Sequence, residues 1–182
     1  ALEEFGGSLE TEHAVAAGLT YLAGIQNPGG EWGQRSDAHD KYLDVRVGKS
    51  ALALLAFLGA GHVPGGSTEH AAVVERAVRY LLGTQEPDSG HFGRSCSYGH
   101  GIATYALAEC FALTHDEVLR APLERAVEEI LRHQNREPDP RLFGGFGYYF
   151  ADGHLWNDDA WPRTSVTAWQ VMALESARLG GL

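Results

Sequence analysis

The sequence predicts an all-α protein made of three consecutive helical hairpins, each with one inner and one outer helix. Three observations carry that reading. A short pattern recurs: Gln26, Gly30, Trp32 and Gly33 in QNPGGEWG, Gln85, Gly90, Phe92 and Gly93 in QEPDSGHFG, and Gln134, Gly145, Phe146 and Gly147 in QNREPDPRLFGGFG. Each Gln closes an apolar segment of helical period, and each aromatic is followed, after a polar stretch, by a second and greasier segment. No stretch shows the strict alternation of a strand. Copies spaced by roughly 50–60 residues are units that bury their faces against one another.

The first hairpin opens near Thr11, where Val15, Leu19, Leu22 and Ile25 recur at three- and four-residue steps. Asn27, Pro28, Gly29 and Gly30 end it, and Gln34 to Asp44 reads as a loop. The second helix, about Val47 to Leu58, is apolar on almost every face and is therefore expected to be enclosed. The second outer helix runs from about Glu69 to Thr84, with Val74, Val78, Leu81 and Leu82 as its buried stripe. Its inner partner spans about Gly101 to Leu113. The third outer helix starts after Pro122, a residue suited to a first turn, and reaches His133. Its partner covers about Thr164 to Leu179. The whole chain, 1–182, reads as one domain with repeats at about 11–62, 69–115 and 122–182. Aligning the inner helices puts Ser50, Thr104 and Thr167 in register, small residues that allow close helix approach.

Composition narrows the partners. A formal net charge of −10 without a Lys/Arg cluster argues against nucleic acid and anionic membrane surfaces. It counts, less strongly, against a polyanionic substrate. No apolar run approaches the ~20 residues needed to span a bilayer. Cys96 and Cys110 stand too far apart along a predicted helix to be bridged and read as free thiols, which favours a reducing, cytoplasmic setting. The chain opens at Ala1 rather than Met, the mark of a processed or cut N-terminus.

The spacing Gln26, Gly30, Trp32 resembles the repeat of the terpenoid cyclase and protein prenyltransferase superfamily. The segments ALALLAFLGAGH, YGHGIATYALAECFALTHD and SVTAWQVMALESARLGGL are similar to the bacterial "prenyltransferase and squalene oxidase repeat" proteins. The resemblance covers nearly the whole chain and implies an α/α toroid, inner barrel within outer barrel. Here three hairpins make only a partial ring, which implies closure by a second copy, closure by the rest of a longer chain, or helices splayed into a shorter bundle. It also implies an apolar, isoprenoid-like ligand held by inner helices and the loops entering them.

Squalene–hopene cyclases of that superfamily carry an Asp-x-Asp-Asp-Thr-Ala signature. Thr167 and Ala168 match its end, but no acid precedes them in register; Asp158 and Asp159 lie a few residues upstream. Paired carboxylates can hold a proton at elevated pKa, which makes Asp158 and Asp159 candidate acid catalysts; a solvated Asn-Asp-Asp turn is the alternative. Protein prenyltransferases hold zinc with Asp, Cys and His. Cys96-x-x-x-His100 places two such residues at the mouth of an inner helix, although Arg94 stands where that pattern wants an acid. His100 is thus a candidate catalytic or zinc residue, or else a cap of the helix start; no cofactor is expected otherwise. The long loop after Phe146 adds Tyr148, Tyr149, His154, Trp156, Trp161 and Arg163, and with Tyr98 these are the candidate ligand-binding residues. Asp44, Arg46 and Lys49 before the first inner helix read as a solvated helix start, with an ion pair or a ligand contact as the alternative. His62 and His115, at equivalent ends of two inner helices, read as helix terminators.

Three functions follow from these features. One is a cyclase-like or prenyltransferase-like domain binding an apolar ligand. Another is a non-catalytic binding or assembly module on the same fold. The last is a carbohydrate-active toroid of the polysaccharide-lyase kind, with Asp158, Arg163, Trp156 and Trp161 along a groove.

Overall fold

A computed structural model describes residues 7–34, 45–93, 95–148 and 161–182. The helices follow in the order α1 (Leu9–Gly24), α2 (Arg46–Gly59), α3 (Ala71–Thr84), α4 (Ser97–Thr114), α5 (Arg120–His133) and α6 (Thr164–Gly180). A 3-10 turn, Glu117–Leu119, leads into α5. Among the described residues the only β-type pairing is an isolated bridge between Gln85 and Phe92. The fold is all-α, as the repeats predict.

The greasiest helix, α4, is the central one. α4 lies between α2 and α6, and its Ile102, Ala103, Ala106, Leu107 and Phe111 are buried. That enclosure on several sides is why its sequence shows no polar face. α3 covers α2, while α5 covers α4 and touches α6. α1 packs chiefly on α2 alone. The expected buried stripe on α1 therefore shrinks: Leu19 is buried and Leu22 half-buried, whereas Val15 and Ile25 are about half exposed at 51% and 48%. A helix with one neighbour can bury only one narrow seam.

Helix ends follow local chemistry. Ser8 and Thr11 close a reciprocal capping box at the start of α1. α2 ends in a Schellman turn: Gly61 takes φ +83°, and the amide of His62 reaches the carbonyl of Phe57 at 3.0 Å. His115 ends α4 in the left-handed conformation itself, at φ 51°. Both histidines are helix terminators, as expected. α4 starts a full turn earlier than its apolar run predicts, with Cys96 as the N-cap residue, and α5 begins at Arg120, so Pro122 falls inside the first turn. Neither cysteine is bridged.

The repeated Gln joins one hairpin to the next. The Gln26 amide donates to Gly30 of its own loop and to the Val73 carbonyl in the first turn of α3, both at 3.0 Å. The Gln85 amide donates to Gly90 at 2.9 Å and to the Pro122 carbonyl in the first turn of α5 at 2.8 Å. The glutamine oxygens take arginines from the same outer helices, Arg76 on Gln26 at 2.6 Å and Arg125 on Gln85 at 2.9 Å. The oxygen thus meets a guanidinium rather than a backbone amide.

Gly30 and Gly90 complete the joint. A Cβ on them would stand 2.3 Å from the Arg76 carbonyl oxygen and 2.6 Å from that of Arg125. Both also have positive φ, so only glycine fits. In the third repeat the Gln134 amide reaches Gly144, which has φ +81°, so Gly144 rather than Gly145 is the equivalent glycine.

The aromatics pin the inner helices. The backbone N–H groups of Trp32, Phe92 and Phe146 donate to Ser50, His100 and Thr167 at 2.9, 3.2 and 3.1 Å. The inner-helix register is thus Ser50, His100, Thr167. The expected Thr104 lies one turn too far along and instead donates its hydroxyl to the His100 carbonyl.

Candidate functional site

Among the described residues an apolar pocket sits where the N-terminal ends of α2 and α4 meet the loop entering α6. Its volume is about 300 Å³ and its lining is almost wholly apolar. Val45, the N-cap residue of α2, and Gly48 form one side. Gly99, Tyr98 and Ile102 from α4 form the opposite side. Tyr148 from the loop, with Ser95 and Cys96, completes the lining.

Packing holds these groups in place. The Tyr98 and Tyr148 rings stack with centroids 6.2 Å apart and planes 21° apart. The Arg163 guanidinium carbon lies 5.5 Å from the Tyr148 ring centroid, a cation–π distance. The Ser97 amide donates to the Tyr148 carbonyl at 2.9 Å, and the Ser97 hydroxyl donates to the Gly147 carbonyl. From α6, the fully buried Gln170 donates its amide to the Ser97 carbonyl at 2.6 Å, while its oxygen stays buried without a partner. The α4 start is thus tied both to α6 and to the loop carrying Tyr148. Arg163, as N-cap residue of α6, is fixed through its own amide on the Phe146 carbonyl at 2.9 Å.

Several predicted site residues are distributed differently. Tyr98, Tyr148 and Arg163 come together here. Trp161 does not line the pocket; it is 49% exposed, with the Arg141 guanidinium carbon 5.8 Å from its ring centroid. His100, in the first turn of α4, is fully buried against α5. Its Nδ1 accepts the Phe92 amide, and its Nε2–H donates to the Ala126 carbonyl at 3.1 Å. Both nitrogens are committed to backbone, which leaves none for a substrate proton or a zinc ion. Burial pushes its pKa well below 6.5, and nearby His91 adds to that. Its expected catalytic role gives way to a structural one. Among the described residues no three His, Cys, Asp or Glu side chains are grouped to hold a metal. Arg46 pairs with Glu31 at 3.5 Å rather than facing the pocket. Asp44, Arg94, Tyr149, His154, Trp156, Asp158 and Asp159 lie outside the described residues.

Sequence reasoning passed over Gly48, Gly99 and Ile102. A glycine inside the apolar segment after Arg46 was the available signal. A second and larger hollow, about 730 Å³, lies between α1 and α2. Glu12 and the exposed Val15 and Tyr21 border it, so it is the open flank of the first hairpin rather than an enclosed site.

The model of the Squalene-hopene cyclase C-terminal domain matches residues 53–180, the larger part of the chain. The chain belongs to that family. The match begins within α2 and runs to the end of α6, so it takes in the pocket residues of α4 and Tyr148 but not Val45 and Gly48. No curated protein and no solved structure shows a significant match. For a squalene–hopene cyclase C-terminal domain, the joined hairpins with apolar inner helices are the shared framework. No helix among the described residues is long and apolar enough to cross a membrane.

Proposed function

We propose that this squalene–hopene cyclase-like domain binds a small apolar, isoprenoid-like ligand in the pocket between α2 and α4. One observation carries the reading: an almost wholly apolar hollow of about 300 Å³ walled by a stacked tyrosine pair. Apolar walls reward hydrocarbon by removing its surface from water, about 25 cal/mol per Å². Ring faces also attract the positive charge that an isoprenoid acquires if protonated. The same lining disfavours a carbohydrate, whose hydroxyls would be left without partners.

Among the described residues no carboxylate lines the pocket. Binding is therefore the function these residues support, and acid chemistry on the ligand would fall to Asp158 and Asp159. The test is equilibrium titration with an acyclic isoprenoid alcohol. Saturable one-to-one binding is expected, with Tyr148→Ala raising Kd about tenfold through loss of an aromatic wall. Absence of saturable binding overturns the proposal.

A further inference from the structure

Granting that ligand class, we infer that the pocket measures chain length, favouring hydrocarbon of two to three isoprene units, with Gly48 and Ile102 as its floor. The volume sets the scale. A dry cavity of about 150 Å³ accepts one benzene, six carbons, or on the order of 25 Å³ per carbon. A pocket of about 300 Å³ accordingly holds on the order of ten to fifteen carbons. A thirty-carbon polyene would need more than twice that space, so additional units meet no further wall here.

The floor is built from two helices at close approach. A Cβ on Gly48 would stand 3.5 Å from the Cα of Gly99 and 3.9 Å from Cδ1 of Ile102. Both are ordinary van der Waals contacts, so helix packing does not demand glycine at 48. Gly99 differs: a Cβ there would come within 2.8 Å of the Ser95 Cβ. Glycine weakens a helix relative to alanine. At position 48 its structural effect is to leave open the space that a methyl group would take from the pocket. Ile102 is nearly fully buried and lines the pocket next to Gly48.

The experiment is equilibrium dialysis of labelled acyclic isoprenoid alcohols of one, two, three and four units, with squalene as the six-unit chain. Affinity is expected to rise at least tenfold from one unit to the best of two or three, then to level off or fall. Gly48→Ala should move the optimum to the shorter chain and weaken three-unit binding about tenfold, while Tm stays level or rises by about 2 °C. A merely structural glycine would give the opposite pattern, a lower Tm and an unmoved optimum. Ile102→Ala should shift the optimum towards longer chains; should it not fold, the Gly48→Ala comparison decides alone. Squalene binding tenfold tighter than the three-unit alcohol overturns the length limit and leaves the apolar-ligand reading standing. An unmoved optimum in Gly48→Ala overturns the floor assignment. Failure of every chain to bind defeats both readings.

Discussion

Replacing Gln85 by Ala tests the joint between the second and third hairpins. The side chain makes three half-buried hydrogen bonds: to the Gly90 carbonyl at 2.9 Å, to the Pro122 carbonyl at 2.8 Å, and from Arg125 at 2.9 Å. Each neutral bond contributes about 1 kcal/mol net, and the bond from a charged group about 1.5–3 kcal/mol. Partial access of water to the freed groups lowers the sum, so a loss of about 2–4 kcal/mol is expected. For a chain of 182 residues that lowers Tm by about 6–12 °C. Gln134 supplies the internal control, because its amide reaches only the Gly144 carbonyl, at 3.0 Å, among the contacts seen. Gln134→Ala should cost about 1 kcal/mol. Urea denaturation of both variants, with a Gln85→Ala and Arg125→Ala double-mutant cycle, measures the joint directly; the coupling should be about 1–2 kcal/mol. Equal losses for the two glutamines, or a coupling near zero, would refute the assignment of Gln85 as an inter-hairpin fastener.

Two further outcomes follow from burial. His100 is held neutral with a folded pKa below 6.5, so below that pH the unfolded chain binds a proton that the folded chain refuses. Stability must then fall as pH drops from about 6.5 towards the folded pKa, with a slope of at most about 1.4 kcal/mol per pH unit. Its ring stacks 4.5 Å from that of His91, with Glu129 and His133 of α5 beyond, so the comparison needs His100→Gln; urea midpoints between neutral and mildly acidic pH should show the His-dependent slope vanish in that variant. An unchanged slope would reject this role for His100. The Cys110 thiol is pushed up to about 12 by burial, with Asp116 adding to the rise, whereas Cys96 is only half-buried and lines the pocket. An alkylating reagent should modify Cys96 in the native protein and Cys110 only after unfolding, as mass mapping would show; native-state labelling of Cys110 would contradict its placement.

Much of the architecture was legible because it rests on local signals. The helical periods, the repeated glutamines and the terminating roles of His62 and His115 all depend on residues close together in the chain. The pocket was harder to read because it depends on residues from three repeats. Gly48, Gly99 and Tyr148 become neighbours only when α2, α4 and the α6 entry loop meet. The register of α4 was misread for a specific reason. In the first and third repeats a hydroxyl, Ser50 or Thr167, receives the aromatic amide, and Thr104 looked like the matching hydroxyl. The imidazole of His100 takes that place one turn earlier. Trp161 and Arg163 show the complementary failure: two residues apart in sequence, they serve different surroundings, Trp161 beside Arg141 and Arg163, the N-cap residue of α6, over Tyr148.

The glutamine fastening also bears on how such proteins change. Its amide reads main-chain oxygens, at Val73 and Pro122, which any residue at those sites would offer. Only the guanidinium half of the contact is particular to a side chain. Arg76 and Arg125 each precede the glutamine of their own helix by nine positions (76 to 85, 125 to 134), and Ala17 holds that place before Gln26. A coupling that asks its receiving partner for one carbonyl and one guanidinium tolerates drift everywhere on that helix except at the arginine. Hairpins linked this way can be copied, lost or traded within an array while the linkage keeps working.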